Sequence, residues 1–435
     1  MIYPVHTVDD AYSACHPDIP LQPGDKRFVD LTKARGIRSN IAKKIANKIK
    51  HAEPGRYHHQ LVSGHRGCGK STELFQLQDQ LRKDGYFVVY FDVEDVLDLA
   101  DIRYQDVLVA ITKAIEKELS DAKIEIDAGL RENLDQWFAE KILISEQKVE
   151  GEASLKTEFG IDSKLPLLAR ALAMVTSHLK ASSNRRSEIR RRLDNELGDF
   201  IERLNVFIGN ARNLARDGNF HDLVVIVDGL EKMHYREEDG TSNQAVLFIR
   251  HADQLKSPDC HIIYTLPIFL AFNVNLGHAY SDELVILPMV NQNNEEGINA
   301  LHQVVSSRVA IEDVFENPAS VNQLIAMCGG SVRDLLRLVR LSADNFPDKI
   351  SDDDVEDAIR RMAKEFDRIL RDEDLPTLAR ISKTQRLSGE QSENRLLNLR
   401  LVHEYENGER WADVHPMVRK LTRMREFLAE NSDLK

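Results

Sequence analysis

The octapeptide Gly64-His65-Arg66-Gly67-Cys68-Gly69-Lys70-Ser71 has the GxxxxGK[ST] spacing of a phosphate-binding loop. The chemistry open to it is capture of a nucleoside triphosphate. Glycines at 64, 67 and 69 let the backbone wrap so that its N–H groups face phosphate oxygens, and the helix that follows adds partial positive charge from its N-terminus. Gly64, His65, Arg66, Gly67, Cys68, Gly69, Lys70, Ser71 and Thr72 are therefore the expected nucleotide contacts. Lys70 reaches the β- and γ-phosphates and the Ser71 hydroxyl is a ligand for Mg²⁺, so ATP and Mg²⁺ are the expected bound species.

Four further residues complement the loop. Asp228 ends the apolar run LVVIV (223–227), where its carboxylate can hold Mg²⁺ through water. Glu231, three residues on, is the candidate to polarise the attacking water, since general-base work needs a carboxylate within reach of the γ-phosphate. The alternative is that Glu231 caps a helix or pairs with Lys232. Thr265 closes the strand HIIYT, expected between the phosphate-loop strand and the Asp228 strand, where its hydroxyl faces the γ-phosphate or lytic water, or else bonds to backbone. Arg333, in GGSVR, opens a helix from which a guanidinium can swing onto phosphate, or remain facing solvent. The candidate catalytic set is thus Lys70, Glu231, Thr265 and Arg333, with Ser71 and Asp228 as candidate metal ligands.

These residues need elements to position them. A strand over 57–63 precedes the loop, and the spacing of Leu74, Leu77 and Leu81 predicts a helix after it, ending near Asp84-Gly85. YFVVYFDV (86–93) is a continuous apolar run that suits a strand buried on both faces, and 102–119 has helical apolar spacing. Strands over 223–227, 261–265 and 283–287 follow, with a helix over 242–255. This order predicts an α/β fold: a P-loop NTPase parallel sheet with crossover helices and a helical insertion, followed by a helical lid and a winged-helix-like C-terminal domain. The expected divisions are an N-terminal segment (1–56), the ATPase core (57–292) with its insertion at about 120–220, the lid (293–374) and the winged-helix-like domain (375–435). In that last part Asn407-Gly408 joins two short strands by a tight turn, and a closing helix is expected over 417–428.

Composition narrows the classes of function. Of 435 residues 42% are hydrophobic and 30% charged, with a net charge of −13, which opposes indiscriminate adhesion to nucleic acid or anionic membrane. Cys15, Cys68, Cys260 and Cys328 have neither zinc-site nor disulfide-framework spacing. No apolar run approaches the roughly 20 residues of a membrane span, the nearest being 165–175 with Arg170 inside it, and the N-terminus lacks the regions of a signal peptide. A cytoplasmic protein with no membrane partner is expected. Lys180, Arg185, Arg186, Arg190, Arg191 and Arg192 form a basic run in the insertion, but Glu188, Asp194, Glu196 and Asp199 stand at helical distances from it, so a solvated charged helix is favoured over phosphate contact.

On GHRGCGKS, the apolar strand running into DGLEK, the threonine-ended strand and GGSVR, the chain resembles the AAA+-like and STAND-type P-loop ATPases, the NACHT-like group included, and the origin-recognition ATPases. The resemblance covers about residues 25–345 outside the insertion. It implies a nucleotide-controlled switch that forms a homo-oligomer when ATP-bound, often with an arginine against a neighbour's γ-phosphate, and that controls partner proteins, plausibly in bacterial anti-phage defence. DGLE matches the STAND form, in which the acid three residues after the metal aspartate is the base; elsewhere in these ATPases the base directly follows, where this chain has Gly229. The chain also departs in the 158 positions that separate Asp228 from Lys70 and in lacking a clear arginine finger, for which Arg250 is the candidate. No effector domain is visible, which implies a separate effector or sensor protein. The alternatives are a DNA-binding initiator or transposition-type ATPase, nucleic acid being a possible but not required partner, and a nucleotide-binding scaffold with little turnover.

Overall fold

The computed structural model describes residues 2–38, 40–124, 128–143, 167–180, 183–238, 240–273, 276–406 and 408–431. Its centre is a five-stranded parallel sheet of β1 (His59–Gly64), β2 (Phe87–Asp92), β3 (Leu223–Asp228), β4 (His261–Leu266) and β5 (Val285–Leu287). The spatial order is β2-β3-β4-β1-β5, so the threonine-ended strand β4 lies between the phosphate-loop strand and the Asp228 strand, as the sequence predicts.

The strands read as unbroken apolar runs because both faces of the sheet are covered. In β3, Val224 and Ile226 turn towards Ile41, Ile45, Leu74 and Leu77, which belong to helices α1 (Ile41–Lys50) and α2 (Lys70–Lys83). Leu223, Val225 and Val227 turn the other way, towards Val107, Leu108 and Ile111 of α3 (Tyr104–Asp121). The five apolar β3 side chains are fully buried, each worth about 1.5–3 kcal/mol of transfer free energy.

Between α3 and β3 come a helix at Ala128–Trp137, then α4 (Leu167–Lys180), α5 (Ser183–Asn195) and α6 (Leu197–Asp217), with α4 packed along α3. Part of the expected insertion, 144–166, lies outside the described residues. The arginine run of α5 is not the solvated face expected of it. Arg186 and Arg190 are buried, with Arg186 2.7 Å from Asp98 and Arg190 2.6 Å from Asp101 and paired also with Asp106. Spaced four apart, they share a helix face with the buried Ile189 and Leu193, so the periodicity that buries the apolar pair carries the two guanidinium groups inward to acids ahead of and within α3. Arg192 pairs with Glu188, as the sequence reading expects of its neighbours.

The helix expected over 242–255 is interrupted, by a π-helical turn at Val246–Arg250 between short turns at Asn243–Ala245 and Ala252–Leu255. After the sheet come α7 (Glu295–Ser306), α8 (Ser320–Met327), α9 (Val332–Ser342) and α10 (Asp352–Ile369), the last opened by a Ser351–Asp354 capping box. The C-terminal part has the winged-helix order: α11 (Leu375–Thr384), α12 (Gln391–Asn398), the hairpin β6 (Val402–Glu406) and β7 (Arg410–Val414), then α13 (Pro416–Lys420) and α14 (Thr422–Glu430). The closing helix thus breaks at Leu421; Asn407 of the expected turn lies outside the described residues, while Gly408 has φ 80°. Among the described residues no helix is long and apolar enough to cross a membrane, and the four cysteines are buried and free of disulfides.

Candidate functional site

The phosphate loop joins the C-terminal end of β1 to the first turn of α2, which Lys70 opens. The Lys70 ammonium is buried. It donates to the carbonyls of Gly64 at 2.7 Å and His65 at 3.1 Å and lies 3.3 Å from a Glu231 oxygen. Burial alone would lower its pKa, but Glu231 foremost, with Cys68 and Asp228, raises it above the ordinary lysine value. Lys70 is therefore a fixed positive charge at the loop.

Asp228 ends β3 with no solvent exposure and takes hydrogen bonds from the Tyr90 hydroxyl at 2.7 Å and from Ser71. Burial and then the Glu231 charge push its carboxyl above the usual aspartate range. A buried carboxylate aimed at the loop serine is a pair of hard oxygen donors, the donor chemistry that suits Mg²⁺, which offsets the same unfavourable charge. Tyr90 gave no signal of its own in the sequence; it comes to Asp228 because β2 pairs with β3 in register.

Glu231 sits in a short 3-10 turn, Leu230–Lys232, directly after β3. Thr265 accepts the Leu230 N–H at 3.1 Å, the backbone bond of its alternative reading, and also bonds the Glu231 carboxylate. The second Glu231 oxygen is buried without a hydrogen-bond partner among the described residues. Burial would raise the Glu231 pKa, but Lys70 opposes it and the net direction is down, which keeps the carboxylate ionised. Lys232 is engaged elsewhere, 2.6 Å from Asp92 and 2.7 Å from Glu94. Gly229 has φ 87°, and a Cβ there would run into an Asp92 carboxylate oxygen, so the position next to Asp228 is strained for any residue but glycine, an acid included.

Beside this cluster opens a cleft of about 710 Å³. Arg66 through Thr72 line it, with Tyr90, Asp92 and Glu231; Gly64, His65, Asp228 and Thr265 stand behind that lining. Its outer wall comes from the N-terminal segment, including Asp18, Leu21 and Phe28, none of which the sequence reading singled out. Leu21 N–H donates to Thr72 Oγ1 at 3.2 Å, so Thr72 anchors that wall. Arg333 reaches the cleft from α9, its backbone N–H on the Gly67 carbonyl at 3.2 Å and its guanidinium 3.0 Å from Asp18. A Cβ on Gly67 (φ 90°) would lie 2.7 Å from that of Arg333, so the close approach of lid and loop requires glycine. Arg250 is exposed, bonds Thr241 at 3.2 Å and is not among the cleft residues.

No protein-family model matches the chain, and no curated protein does. Among solved structures it is similar to the Walker-type ATPase paby2304 of Pyrococcus abyssi, with 14% identity, a TM-score of 0.40 and 94% of this chain and 99% of that one covered. It is also similar to Cdc6p of Pyrobaculum aerophilum (13%, TM-score 0.41, 99% and 100% covered). A third is the Orc1 protein of Aeropyrum pernix, solved in complex with DNA (12%, TM-score 0.40, 97% and 96% covered).

Proposed function

We propose that the chain binds ATP with Mg²⁺ and hydrolyses it to ADP and phosphate, acting as a molecular switch of the STAND/AAA+ type. One observation carries the reading: Lys70, Ser71, Asp228 and Glu231 converge at the C-terminal ends of the parallel strands β1 and β3, with Thr265 at the end of β4 between them. The crevice at those strand ends is where open α/β sheets take ligands.

The residues fit the steps of phosphoryl transfer to water. The phosphates would replace the Gly64 and His65 carbonyls as partners of Lys70, while loop N–H groups meet the remaining oxygens. Ser71 and Asp228 would hold Mg²⁺, which would supply positive charge against the phosphate oxygens. Glu231, ionised and oriented by Thr265, takes the proton of the attacking water through its unpartnered oxygen. Arg333 moves from Asp18 to the γ-phosphate.

The switch reading extends to ATP-dependent self-assembly and control of a separate partner, with anti-phage defence as its setting; these rest on the sequence resemblance. A DNA-binding role is less favoured. The hairpin carries Glu406 and Glu409 and α12 begins beside Glu390, charges that repel phosphate.

The test is nucleotide binding and turnover by the purified chain, with its mass followed by light scattering. Lys70→Ala is expected to abolish binding, and Glu231→Gln to keep ATP bound while turnover falls at least about 100-fold. A wild-type chain that binds no ATP overturns the reading, and one that stays monomeric in every nucleotide removes self-assembly.

A further inference from the structure

Behind the phosphate loop lies a buried cluster that the reading above does not use. Nε2 of His65 accepts the backbone N–H of Glu404 at 2.9 Å, and its ring lies 5.1 Å from that of His403. Both residues belong to β6, so the second residue of the phosphate loop is held by the C-terminal hairpin. The hairpin is itself pinned. Glu404 carbonyl accepts the Met289 N–H at 3.1 Å, and His403 Nδ1 and the Tyr405 hydroxyl both donate to the Gly329 carbonyl, at 2.8 and 2.9 Å. Arg400, just ahead of β6, donates to both Asp334 oxygens of α9 at 2.8 Å.

Asp334, His403 and His415 offer ligand atoms within 4.8 Å of one another, a spacing that resembles a metal site. The tautomers oppose it. Met417 N–H donates to His415 Nδ1 at 3.1 Å, so His415 Nε2 carries the proton, and Arg400 occupies both Asp334 oxygens. Of the two histidines, only His403 keeps a free lone pair.

The two ends of His65 point to a different role. Its side chain is bonded to the hairpin, and its carbonyl accepts the Lys70 ammonium at 3.1 Å. We propose that His65 is a positioning residue that couples the phosphate loop to the C-terminal hairpin, so that nucleotide is held longer while the His65–Glu404 bond is intact. The proposal rests on the nucleotide-binding reading above. The imidazole serves as a constant acceptor, because burial foremost, with Lys70 and Arg400, drives its pKa down to about 3 and keeps it neutral.

The experiment compares ADP release, by stopped flow with a fluorescent ADP, and backbone amide exchange of residues 402–406 in the full-length chain. H65L removes the acceptor, H65N carries one that is too short to reach Glu404, and H65Q places a carbonyl oxygen where Nε2 stands. H65L and H65N are expected to release ADP about five- to thirtyfold faster, the equivalent of one buried hydrogen bond, and to exchange the Glu404 amide faster. H65Q is expected to recover most of both losses. Should H65L not fold, the H65N and H65Q pair decides. Release at the wild-type rate in H65N, or equal loss in H65N and H65Q, overturns the coupling. A wild-type chain that binds no ADP instead overturns the functional reading, and this inference with it.

Discussion

The guanidinium of Arg35 lies 2.9 Å from the Glu73 carboxylate, and both side chains are closed off from solvent. A second nitrogen of the same group donates to the Cys68 carbonyl at 2.5 Å, so a residue from before the sheet braces the phosphate loop and the first turn of α2 together. Removing the cation strands a buried carboxylate. Arg35→Ala is expected to cost about 3–5 kcal/mol and to weaken ATP binding. Arg35→Lys should recover little, since one ammonium cannot span both partners. Denaturant melts check the first value, and a loss under about 1 kcal/mol would count against the bracing role.

Asp18 and Arg333 form a more exposed pair across the mouth of the cleft. If Arg333 serves the γ-phosphate, Asp18 competes for it. Asp18→Asn is expected to tighten ATP binding about two- to fivefold at low salt, and to lose that advantage near 0.5 M salt as the pair is screened. Calorimetric titration in an Arg333→Ala background should show no effect of Asp18→Asn.

Thr265 holds Glu231 through a side-chain bond and the Leu230 N–H at 3.1 Å. Thr265→Val keeps the shape and deletes both bonds. Turnover is expected to fall about 10- to 100-fold, with ATP affinity changed less than about threefold. A parallel loss of affinity would place Thr265 in binding and not in water activation.

Glu404 carries a pH signature. Burial pushes its carboxyl from 4.5 up to about 7, although Arg410 opposes the shift from 2.6 Å. Between those two values the folded chain keeps a proton that the unfolded chain has released, so this group's contribution is full below the unfolded value and is lost as pH rises through 7. Glu404→Gln holds a neutral side chain at every pH. Its melting temperature, relative to wild type, is expected to rise between pH 5, near the lower end of that window, and pH 8, about one unit above its upper end; a constant difference across the range removes Glu404 as the cause.

What the sequence alone determined is each pattern that is local along the chain. GHRGCGKS, an unbroken apolar strand ending in Asp228 and another ending at Thr265 are local patterns, and a strand buried on both faces delivers its last residue to the strand ends whatever surrounds it. The same local logic placed the two short strands on either side of Asn407-Gly408.

Tertiary structure alone decided what each of those residues faces. It set Glu231 beside Lys70 and not Lys232, filled the space next to Gly229 with Asp92, and turned Arg186 and Arg190 inward. It also brought Asp18 and Arg35 to a loop they precede, and Glu404 to His65 across 339 residues. The spacing of Arg186 and Arg190 with Ile189 and Leu193 is periodic, but the partners in all these contacts leave no trace in a sequence, because a buried charge or lone pair is satisfied by whichever partner the fold places within about 3 Å, and that partner is selected by packing, not by spacing along the chain.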